Sequence, residues 1–167
     1  MVLRGAKKLV LTSRTGVRSA YQQLYLKRFR KFGKLVEDYS ISLSVSTSLA
    51  TTLEGANELI DSASDEGPVG GVFNLAMVLK DGLIDNQSVD TFLEVCEPKV
   101  TGIDNLDAVT RHKCPQLDYF VAFSSLTAGR GNGGQSNYGY ANSSMERVCE
   151  LRRRDGMRHR CSQRFKL

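Results

Sequence analysis

The chain has 167 residues, of which 41% are hydrophobic and 25% charged, and this is enough for one domain with a sizeable core. No segment approaches the roughly 20 apolar residues of a membrane span, and the amino terminus has no apolar stretch typical of a signal peptide. The net charge is +5, but no nucleic-acid-binding motif accompanies the basic runs at 27–34 and 152–166, so we expect a solvated helix face and a basic tail.

Hydrophobic patterning predicts strands that alternate with helices. The predicted strands cover 8–13, 41–46, 71–77 and 118–123. The predicted helices cover 19–32, 52–63, 88–112 with an interruption near Pro98, and about 138–154. This alternation is typical of an α/β fold with a doubly wound parallel sheet, which is Rossmann-like. We expect one domain over 1–156 and a basic tail over 157–167.

The first unit of such a fold is expected to be missing. A dinucleotide-binding sheet begins with a strand, a glycine-rich phosphate turn and a helix. This sequence instead opens with LRGAKK, which is typical of the end of that first helix, and leads directly into the strand at 8–13. Since the first strand is normally central, we expect the sheet to close a gap, to borrow a strand from elsewhere or to remain incomplete.

The most informative motif lies at 119–142. An apolar run, YFVAF, ends in Ser124 and Ser125, a glycine-rich loop follows, and the next predicted helix carries Tyr138 and, four residues later, Asn142. Reactive groups gather at the carboxyl ends of the strands in a parallel sheet. A strand-end hydroxyl and a helix-borne phenol therefore suit a site that gives a proton to a carbonyl oxygen.

The chemistry of ketone reduction explains these residue types. A phenol can supply the proton for the developing alkoxide when a nearby cation stabilises the phenolate. The Ser125 hydroxyl can polarise the carbonyl, and the amide of Asn142 can hold a relay water one turn after Tyr138. Because position 142 is not lysine, we expect Lys99 in CEPKVTG to be the cation. Tyr140 is a competing phenol, but no amide lies four residues after it.

The glycine-rich loop offers a second interpretation. Gly129, Gly131 and Gly134 match the dinucleotide fingerprint GxGxxG, and they lie between a strand and a helix. That fingerprint belongs with a following strand and an acid near its end, whereas this chain continues into a basic tail. We therefore expect a flexible loop on the substrate side of the site.

Long segments of the chain resemble a known family. They are RGAKKLVLTSRTG, LEGANELI, GPVGGVFNLAMVLKDG, EPKVTGIDNLDAV and CPQLDYFVAFSSLTAGRGNGGQSNYGYANSSMERVCELRRRDG, and they cover most of 4–156. Together they resemble the ketoreductase (beta-ketoacyl reductase) domain of animal, insect-like fatty acid synthase, which belongs to the short-chain dehydrogenase/reductase group.

The resemblance implies a role for each residue of the motif. Tyr138 is the acid, Ser125 polarises the carbonyl, Lys99 is the cation and Asn142 supports the proton relay. Most short-chain reductases carry lysine four residues after the tyrosine. Synthase-type ketoreductases exchange this lysine with an asparagine from the preceding helix, and Lys99 and Asn142 match the exchanged arrangement.

The expected cofactor is NADPH. Ser13 and Arg14 follow the first predicted strand, where a cation favours the 2′-phosphate of NADPH. The resemblance implies further cofactor contacts at the ends of later strands, at Asn74, Leu75, Ala76 and Ser124. Two departures concern the cofactor pocket and the sheet. Leu49 stands where relatives commonly have Asn or Asp, and MRHRCSQRFKL replaces the apolar strand expected after Gly156.

The complete relative would reduce a 3-oxoacyl thioester on an acyl carrier protein to the 3-hydroxyacyl form, as part of fatty acid biosynthesis. The resemblance therefore implies the carrier protein and the other domains of a multidomain synthase as partners. Two alternatives stay open. The first is a non-catalytic fragment that acts as a structural or interaction module, and the second is a polyketide synthase-type ketoreductase.

The cysteines and histidines indicate no further chemistry. Four widely spaced cysteines without a CxxC motif predict free thiols and a cytoplasmic protein: Cys96, Cys114, Cys149 and Cys161. His112 and Cys114 provide at most two neighbouring metal ligands, so we expect no metal site.

Overall fold

The computed structural model describes residues 6–35, 41–157 and 163–164. These residues fall into two compact units, one within Met1–Leu49 and the other within Ala50–Leu167. In both units parallel strands alternate with helices, as the patterning predicts. Within the described ranges, no helix combines the length and the apolar character that a membrane span needs.

The amino-terminal unit is a parallel strand pair joined by a helix. It contains β1 (Lys8–Thr12), α1 (Ala20–Leu35) and β2 (Ser42–Ser46). Leu9 lies opposite Leu43 in the register of the pair. Parallel strands require a long crossover, which α1 provides here. The two strands and the helix predicted for this region are confirmed, and α1 ends three residues later than predicted.

The second unit carries most of the buried core around a parallel sheet in the order β3-β4-β5. Its helices are α2 (Leu53–Asp65), α3 (Val89–Cys96), α4 (Gly102–Lys113), α5 (Thr127–Arg130) and α6 (Ser136–Arg154), and a 3₁₀ turn covers Ile84–Asn86. Its strands are β3 (Gly71–Asn74), β4 (Tyr119–Ser124) and β5 (Gln163–Arg164). Fully buried side chains of Val95, Ile103, Phe120 and Met145 belong to this core.

The predicted interruption near Pro98 is a change of helix type. Proline has no N–H group, so it cannot take part in the regular hydrogen-bond ladder of a helix interior. Between α3 and α4 the chain widens into a π-helical turn at Glu97–Thr101. Such wide turns are frequent at functional sites. Lys99 lies in this turn, and its side chain is only 2% exposed.

Two strand predictions need correction. β3 ends at Asn74 and not at 77, because Asn74 Oδ1 accepts the N–H of Ala76 at 3.0 Å and turns the chain out of the sheet. No strand was expected after Gly156, yet β5 pairs in parallel with Phe123 and Ser124. Pairing to a strand edge uses backbone groups and does not require an apolar sequence. The α/β, Rossmann-like fold class is confirmed.

The basic carboxyl-terminal run begins inside the core, contrary to the expectation of a solvated tail. Arg152 is fully buried and donates hydrogen bonds to the carboxylate of Asp107 and, at 3.1 Å, to Thr110 Oγ1. Its guanidinium lies 4.0 Å from the ring centre of Phe120. Asp107 and Phe120, on neighbouring elements, therefore bind the guanidinium of Arg152. A count of charges along the sequence cannot indicate that an arginine has such partners. Most of the predicted tail lies outside the described residues.

The cysteines are only partly as predicted. Cys96 and Cys114 are free and buried. Cys149 is disulfide-bonded, so the expectation of a free thiol is wrong at this position, and Cys161 lies outside the described residues. Wide spacing along the sequence says nothing about pairing, because pairing depends on how the fold brings cysteines together. Among the described residues, no group of three or more His, Cys, Asp or Glu side chains is arranged to hold a metal ion.

Candidate active site

Lys99 connects the end of β4 to the first turn of α6. Its Nζ donates to the carbonyl oxygen of Phe123 at 3.1 Å and lies 5.4 Å from the ring centre of Tyr138. Burial lowers the pKa of Lys99 from 10.5 to about 8, because desolvation disfavours the charged form. The side chain is therefore still mainly an ammonium at neutral pH, and it lies beside Tyr138, the phenol predicted to be the acid.

Tyr138 is half-buried, and its hydroxyl is directed toward the segment that follows β3. The hydroxyl donates to Sδ of Met77 at 3.4 Å. One turn along α6, Asn142 Nδ2 donates to the Tyr138 carbonyl oxygen at 2.7 Å. The other polar atom of this amide, Asn142 Oδ1, is buried without a partner. It is therefore available to accept a hydrogen bond from a water molecule, as the predicted relay requires.

Ser125 follows β4, and its segment approaches α6 closely. Its Oγ accepts the N–H of Thr127 at 3.3 Å, so the hydroxyl proton is not used in this bond. A Cβ at position 139 would lie 3.2 Å from the carbonyl oxygen of Thr127. Glycine at 139 therefore permits the Ser125 segment to pack against the helix one residue after Tyr138.

The competing phenol has different surroundings. Tyr140 is 55% exposed, and its ring centre lies 5.5 Å from that of Phe92 on α3. The ammonium of Lys99 lies by the ring of Tyr138. This geometry favours Tyr138 over Tyr140 as the acid, in agreement with the choice made from the spacing to Asn142.

The comparisons identify the family of this site. The family model described as the KR domain matches residues 1–162. The chain belongs to the KR domain family. These ketoreductases are NADPH-dependent oxidoreductases of the short-chain dehydrogenase/reductase group. The ketoreductase part of the resemblance is thereby confirmed.

Curated relatives of this KR domain include fungal hybrid synthetases. The chain is 36% identical over 157 residues to the hybrid PKS-NRPS synthetase fsa1 of Fusarium sp. (strain FN080326). It is 37% identical over 157 residues to the equisetin synthetase eqxS of Fusarium heterosporum. Each alignment covers 94% of this chain and 4% of the relative, so the chain spans a small part of these proteins. An origin in animal fatty acid synthase is not shown by these relatives.

Solved structures show the same kinship. A ketoreductase domain from the bacillaene assembly line matches with a TM-score of 0.84 and 27% identity, covering 99% of this chain and 39% of that one. The first ketoreductase of the tylosin PKS matches with a TM-score of 0.77 and 28% identity, covering 93% of this chain and 32% of that one. A short-chain dehydrogenase from Mycobacterium avium, at 17% identity and a TM-score of 0.78, shows the fold alone.

The residues of the second unit that are expected to bind the cofactor differ from one another in exposure. Leu75 is 63% exposed and Ala76 is exposed as well, and both follow β3 on the way to Met77 beside the Tyr138 hydroxyl. An open strand end next to the phenol fits a nicotinamide cofactor, which binds at the carboxyl edge of a parallel sheet. Asn74 is turned inward instead, where Nδ2 donates to the Pro98 carbonyl oxygen at 3.2 Å.

Ser124 uses its hydroxyl within the protein. Its Oγ donates to Glu146 Oε1 at 2.6 Å. A cofactor contact through this hydroxyl would require that bond to be exchanged, so backbone contact is the simpler use of this position. Glu146 lies on α6, far from Ser124 in the chain, and was not predicted from the sequence.

Ser13 and Arg14 belong to the amino-terminal unit. Ser13 Oγ donates to the carbonyl oxygen of Gly16 at 3.2 Å and accepts the N–H of Thr15 at 3.4 Å. Gly16 has a φ of +66°, in the left-handed region that favours glycine. This tight turn after β1 leaves the side chain of Arg14 exposed. An exposed cation at a strand end is suited to binding a phosphate.

A cleft of about 510 Å³ adjoins the candidate site in the second unit. It lies between the glycine-rich loop and the segment after β3, and its lining includes Leu83, Ile84, Gly134, Gly139 and Tyr140. Gly131 and Gly134 have φ values of +71° and +76°, as expected for a turning loop. The loop position between Ser125 and Tyr138 agrees with the substrate-side interpretation of the GxGxxG match.

Three residues of this region were missed by sequence reasoning. Met77 accepts a hydrogen bond from the Tyr138 hydroxyl, and Glu146 accepts one from the Ser124 hydroxyl. Asn137 is fully buried and directly precedes Tyr138. The position of Asn137 within QSNYGYAN, at the start of a helix and next to the acid, was the available signal. Met77 and Glu146 gave none, because their roles depend on contacts between distant elements.

Proposed function

We propose that this chain carries the catalytic site of a polyketide synthase-type ketoreductase. The site reduces the 3-oxo group of an acyl thioester on an acyl carrier protein to a 3-hydroxy group, with NADPH as the reductant. The observation that carries the proposal is the buried ammonium of Lys99 beside the ring of Tyr138, at the carboxyl end of a parallel sheet. The KR family match and the hybrid synthetase relatives favour the polyketide context.

Each polar residue has one task in this proposal. NADPH, when bound, supplies the hydride. The Tyr138 hydroxyl gives its proton to the developing alkoxide, and the Lys99 ammonium stabilises the phenolate that remains. The Ser125 hydroxyl donates to the substrate oxygen while its own lone pair accepts the Thr127 N–H. Asn142 Oδ1 accepts a hydrogen bond from a water molecule, and the phenol regains its proton through this water.

The fatty acid synthase-type ketoreductase is the second candidate, and the long sequence segments that resemble the animal enzyme favour it. The two candidates share reaction, cofactor and residue roles. They differ in the acyl chains reduced and in the neighbouring domains of the synthase. Substrate profiling separates them, because a fatty acid synthase domain should accept unbranched saturated 3-oxoacyl thioesters over a range of lengths. Preference for α-methylated or unsaturated chains would support the polyketide candidate.

The first experiment is a fluorescence titration of the 167-residue chain with NADPH. Saturable binding in the micromolar range supports a ketoreductase. Absence of binding supports the third candidate, a non-catalytic fragment. The informative variant is Arg14→Ala, which should weaken NADPH binding about tenfold while leaving NADH binding unchanged, because it removes the cation proposed to bind the 2′-phosphate.

Turnover is measured in a complemented domain. We define this as the 167-residue chain joined to the parts of the bacillaene ketoreductase domain with which it does not align. The assay follows NADPH oxidation with a 3-oxoacyl thioester as the substrate. Reduction that requires both the thioester and NADPH supports the proposal, and NADPH binding without any reduction would contradict it.

A further inference from the structure

Asn137 is a fully buried amide directly before Tyr138, and every polar group of its side chain is hydrogen-bonded. Nδ2 donates to the Lys80 carbonyl oxygen at 2.8 Å and to Gln87 Oε1 at 3.0 Å. Oδ1 accepts the N–H of Tyr138 at 2.7 Å. The residue is 0% exposed. Asn137 therefore joins the start of α6 to the segment between β3 and α3.

Gln87 completes the connection from the other side. Its Nε2 donates to the carbonyl oxygens of Lys80 at 2.9 Å and Gly82 at 3.2 Å. Its Oε1 accepts the hydroxyl of Thr91 on α3 at 3.0 Å, in addition to the Asn137 amide. The Lys80 carbonyl oxygen thus accepts hydrogen bonds from the side-chain amides of both Asn137 and Gln87. The loop at 80–87 is held at several points through these two side chains.

The glycine-rich loop lies directly against this same segment. The N–H of Gly82 donates to the Gly134 carbonyl oxygen at 2.8 Å, and Gln135 Nε2 donates to Asp81 at 2.8 Å. A Cβ at position 134 would lie 3.4 Å from the backbone nitrogen of Gly82. The loop at 80–82 is therefore held against residues 134–135, and Gly82, Gly134, Gln135 and Ser136 line the 510 Å³ cleft.

The cleft walls suit an acyl group. Leu83 and Ile84 are 65% and 64% exposed on one side, and Tyr140 lies in the lining as well. Gly139, next to Tyr138, belongs to the same lining. A 3-oxoacyl chain is apolar beyond its carbonyl. An acyl chain held in this cleft has its 3-oxo group near the Tyr138 hydroxyl only if the loop at 80–87 keeps its position against α6.

We propose that Asn137 is a positioning residue that sets the place of the Tyr138 hydroxyl relative to the acyl-binding cleft. It does so by holding the cleft loop at 80–87 to the first turn of α6. This proposal rests on the proposed function, because the cleft is assigned to the acyl part of the thioester substrate. Asn137 touches no reacting atom, and its effect passes through Tyr138 and the loop.

The test compares Asn137→Asp with a control of the same chemistry. Asn137→Asp retains an acceptor for the Tyr138 N–H but loses both N–H donors, and its carboxylate faces two oxygen acceptors. Asn105→Asp is the matched control, because Asn105 Nδ2 donates to the carbonyl oxygen of Ala50 at 2.9 Å, in a contact that does not involve Tyr138 or the cleft loop. Both variants are measured in the complemented domain.

The expected result has two kinetic signatures. The kcat of Asn137→Asp falls up to about a hundredfold at neutral pH, because a misplaced acid lowers the rate without weakening cofactor binding. The loss decreases as the pH falls, since a protonated carboxyl can again donate one hydrogen bond. Asn105→Asp retains the parent kcat and the parent pH profile.

Hydrogen exchange in the 167-residue chain gives a readout that does not need turnover. Asn137→Asp should lose protection at the Gly82 amide, whereas Asn105→Asp should retain it. A kcat for Asn137→Asp equal to that of the control would overturn the inference and leave the proposed function in place. If the parent reduces no thioester, the proposed function fails. Unchanged Gly82 protection in Asn137→Asp would then overturn the positioning role as well.

Discussion

The ammonium of Lys99 lies 5.4 Å from the ring centre of Tyr138 while it donates to the Phe123 carbonyl oxygen at 3.1 Å. Lys99 and Tyr138 are 39 positions apart in the chain, and the π-helical turn at Glu97–Thr101 directs the lysine inward. The hydrogen bond to β4 fixes the ammonium at the strand end that leads to Ser125. One buried cation thereby adjoins both the phenol and the strand that precedes the proposed carbonyl-polarising hydroxyl.

The first prediction concerns the activity of Lys99 variants. Lys99→Met should lower kcat about a hundredfold in the complemented domain, because the phenolate loses its stabilising charge. Lys113→Met is the control and should leave kcat unchanged, since Lys113 is paired with Asp61 on an exposed surface. Steady-state kinetics at saturating NADPH makes the comparison. Equal rates in the two variants would exclude Lys99 from the mechanism.

The second prediction is an alkaline limb in the pH dependence of kcat. The pKa of Lys99 is lowered to about 8, so the ammonium is present below this pH and is lost as the pH rises through it. We therefore expect kcat to fall above pH 8 in the parent. The remaining activity of Lys99→Met should lack this limb. A limb of the same position in Lys99→Met would assign the titration to another group.

The third prediction applies the same pKa to stability. The folded pKa lies below the ordinary value of 10.5, so the unfolded chain binds more protons between about pH 8 and 10.5. The cost of burying the ammonium is present below pH 8 and is relieved as the pH rises through this window. It corresponds to roughly 3 kcal/mol. Urea unfolding should show the excess stability of Lys99→Met over the parent shrinking from pH 7 to pH 10, and a constant difference would contradict the burial.

The order of strands and helices and the pairing of Lys99 with Tyr138 could be predicted from the sequence. Periodicity locates the elements, and parallel strands bring their carboxyl ends to one edge. Lys99 became the candidate cation because position 142 is not lysine, and the family resemblance then implied that role for it. Nothing in its own neighbourhood distinguishes it, because a lone lysine on a helix is usually solvated.

The contacts that finish the site could not be predicted in this way. Asn137 meets Lys80 and Gln87, and Ser124 meets Glu146, across more than 20 residues of chain. Such partners depend on how separate elements pack, and no local pattern specifies them. The burial of Arg152 was missed for the same reason, since its last-turn position on α6 and its basic neighbours favour an exposed side chain.

The fourth prediction concerns the buried pair of Arg152 and Asp107. Asp107→Ala should lower the free energy of unfolding by about 3 kcal/mol, because it leaves a buried guanidinium without its carboxylate. Arg152→Met should change it by less than about 1 kcal/mol, because Asp107 keeps its ion pair with Arg111 and because Nε and one terminal nitrogen of Arg152 lack partners. Urea unfolding measures both variants.

Two comparisons make the Arg152 prediction specific. Glu150→Ala removes an exposed ion pair with Arg147 and should cost less than about 1 kcal/mol. Asp107→Ala in an Arg152→Met background should recover most of the lost stability, because no buried charge is then left unpaired. A full loss in that double variant would show that Asp107 acts through Arg111 and not through Arg152.

Replacement of the proposed acid tests the central claim most directly. In the complemented domain, Tyr138→Phe is compared with Tyr140→Phe, which removes an equivalent hydroxyl two residues away from an exposed position. We expect Tyr138→Phe to lower kcat at least about a hundredfold and Tyr140→Phe to change it less than about threefold. Parent-like reduction by Tyr138→Phe, with NADPH binding retained in both variants, would contradict the assignment of Tyr138 as the proton donor.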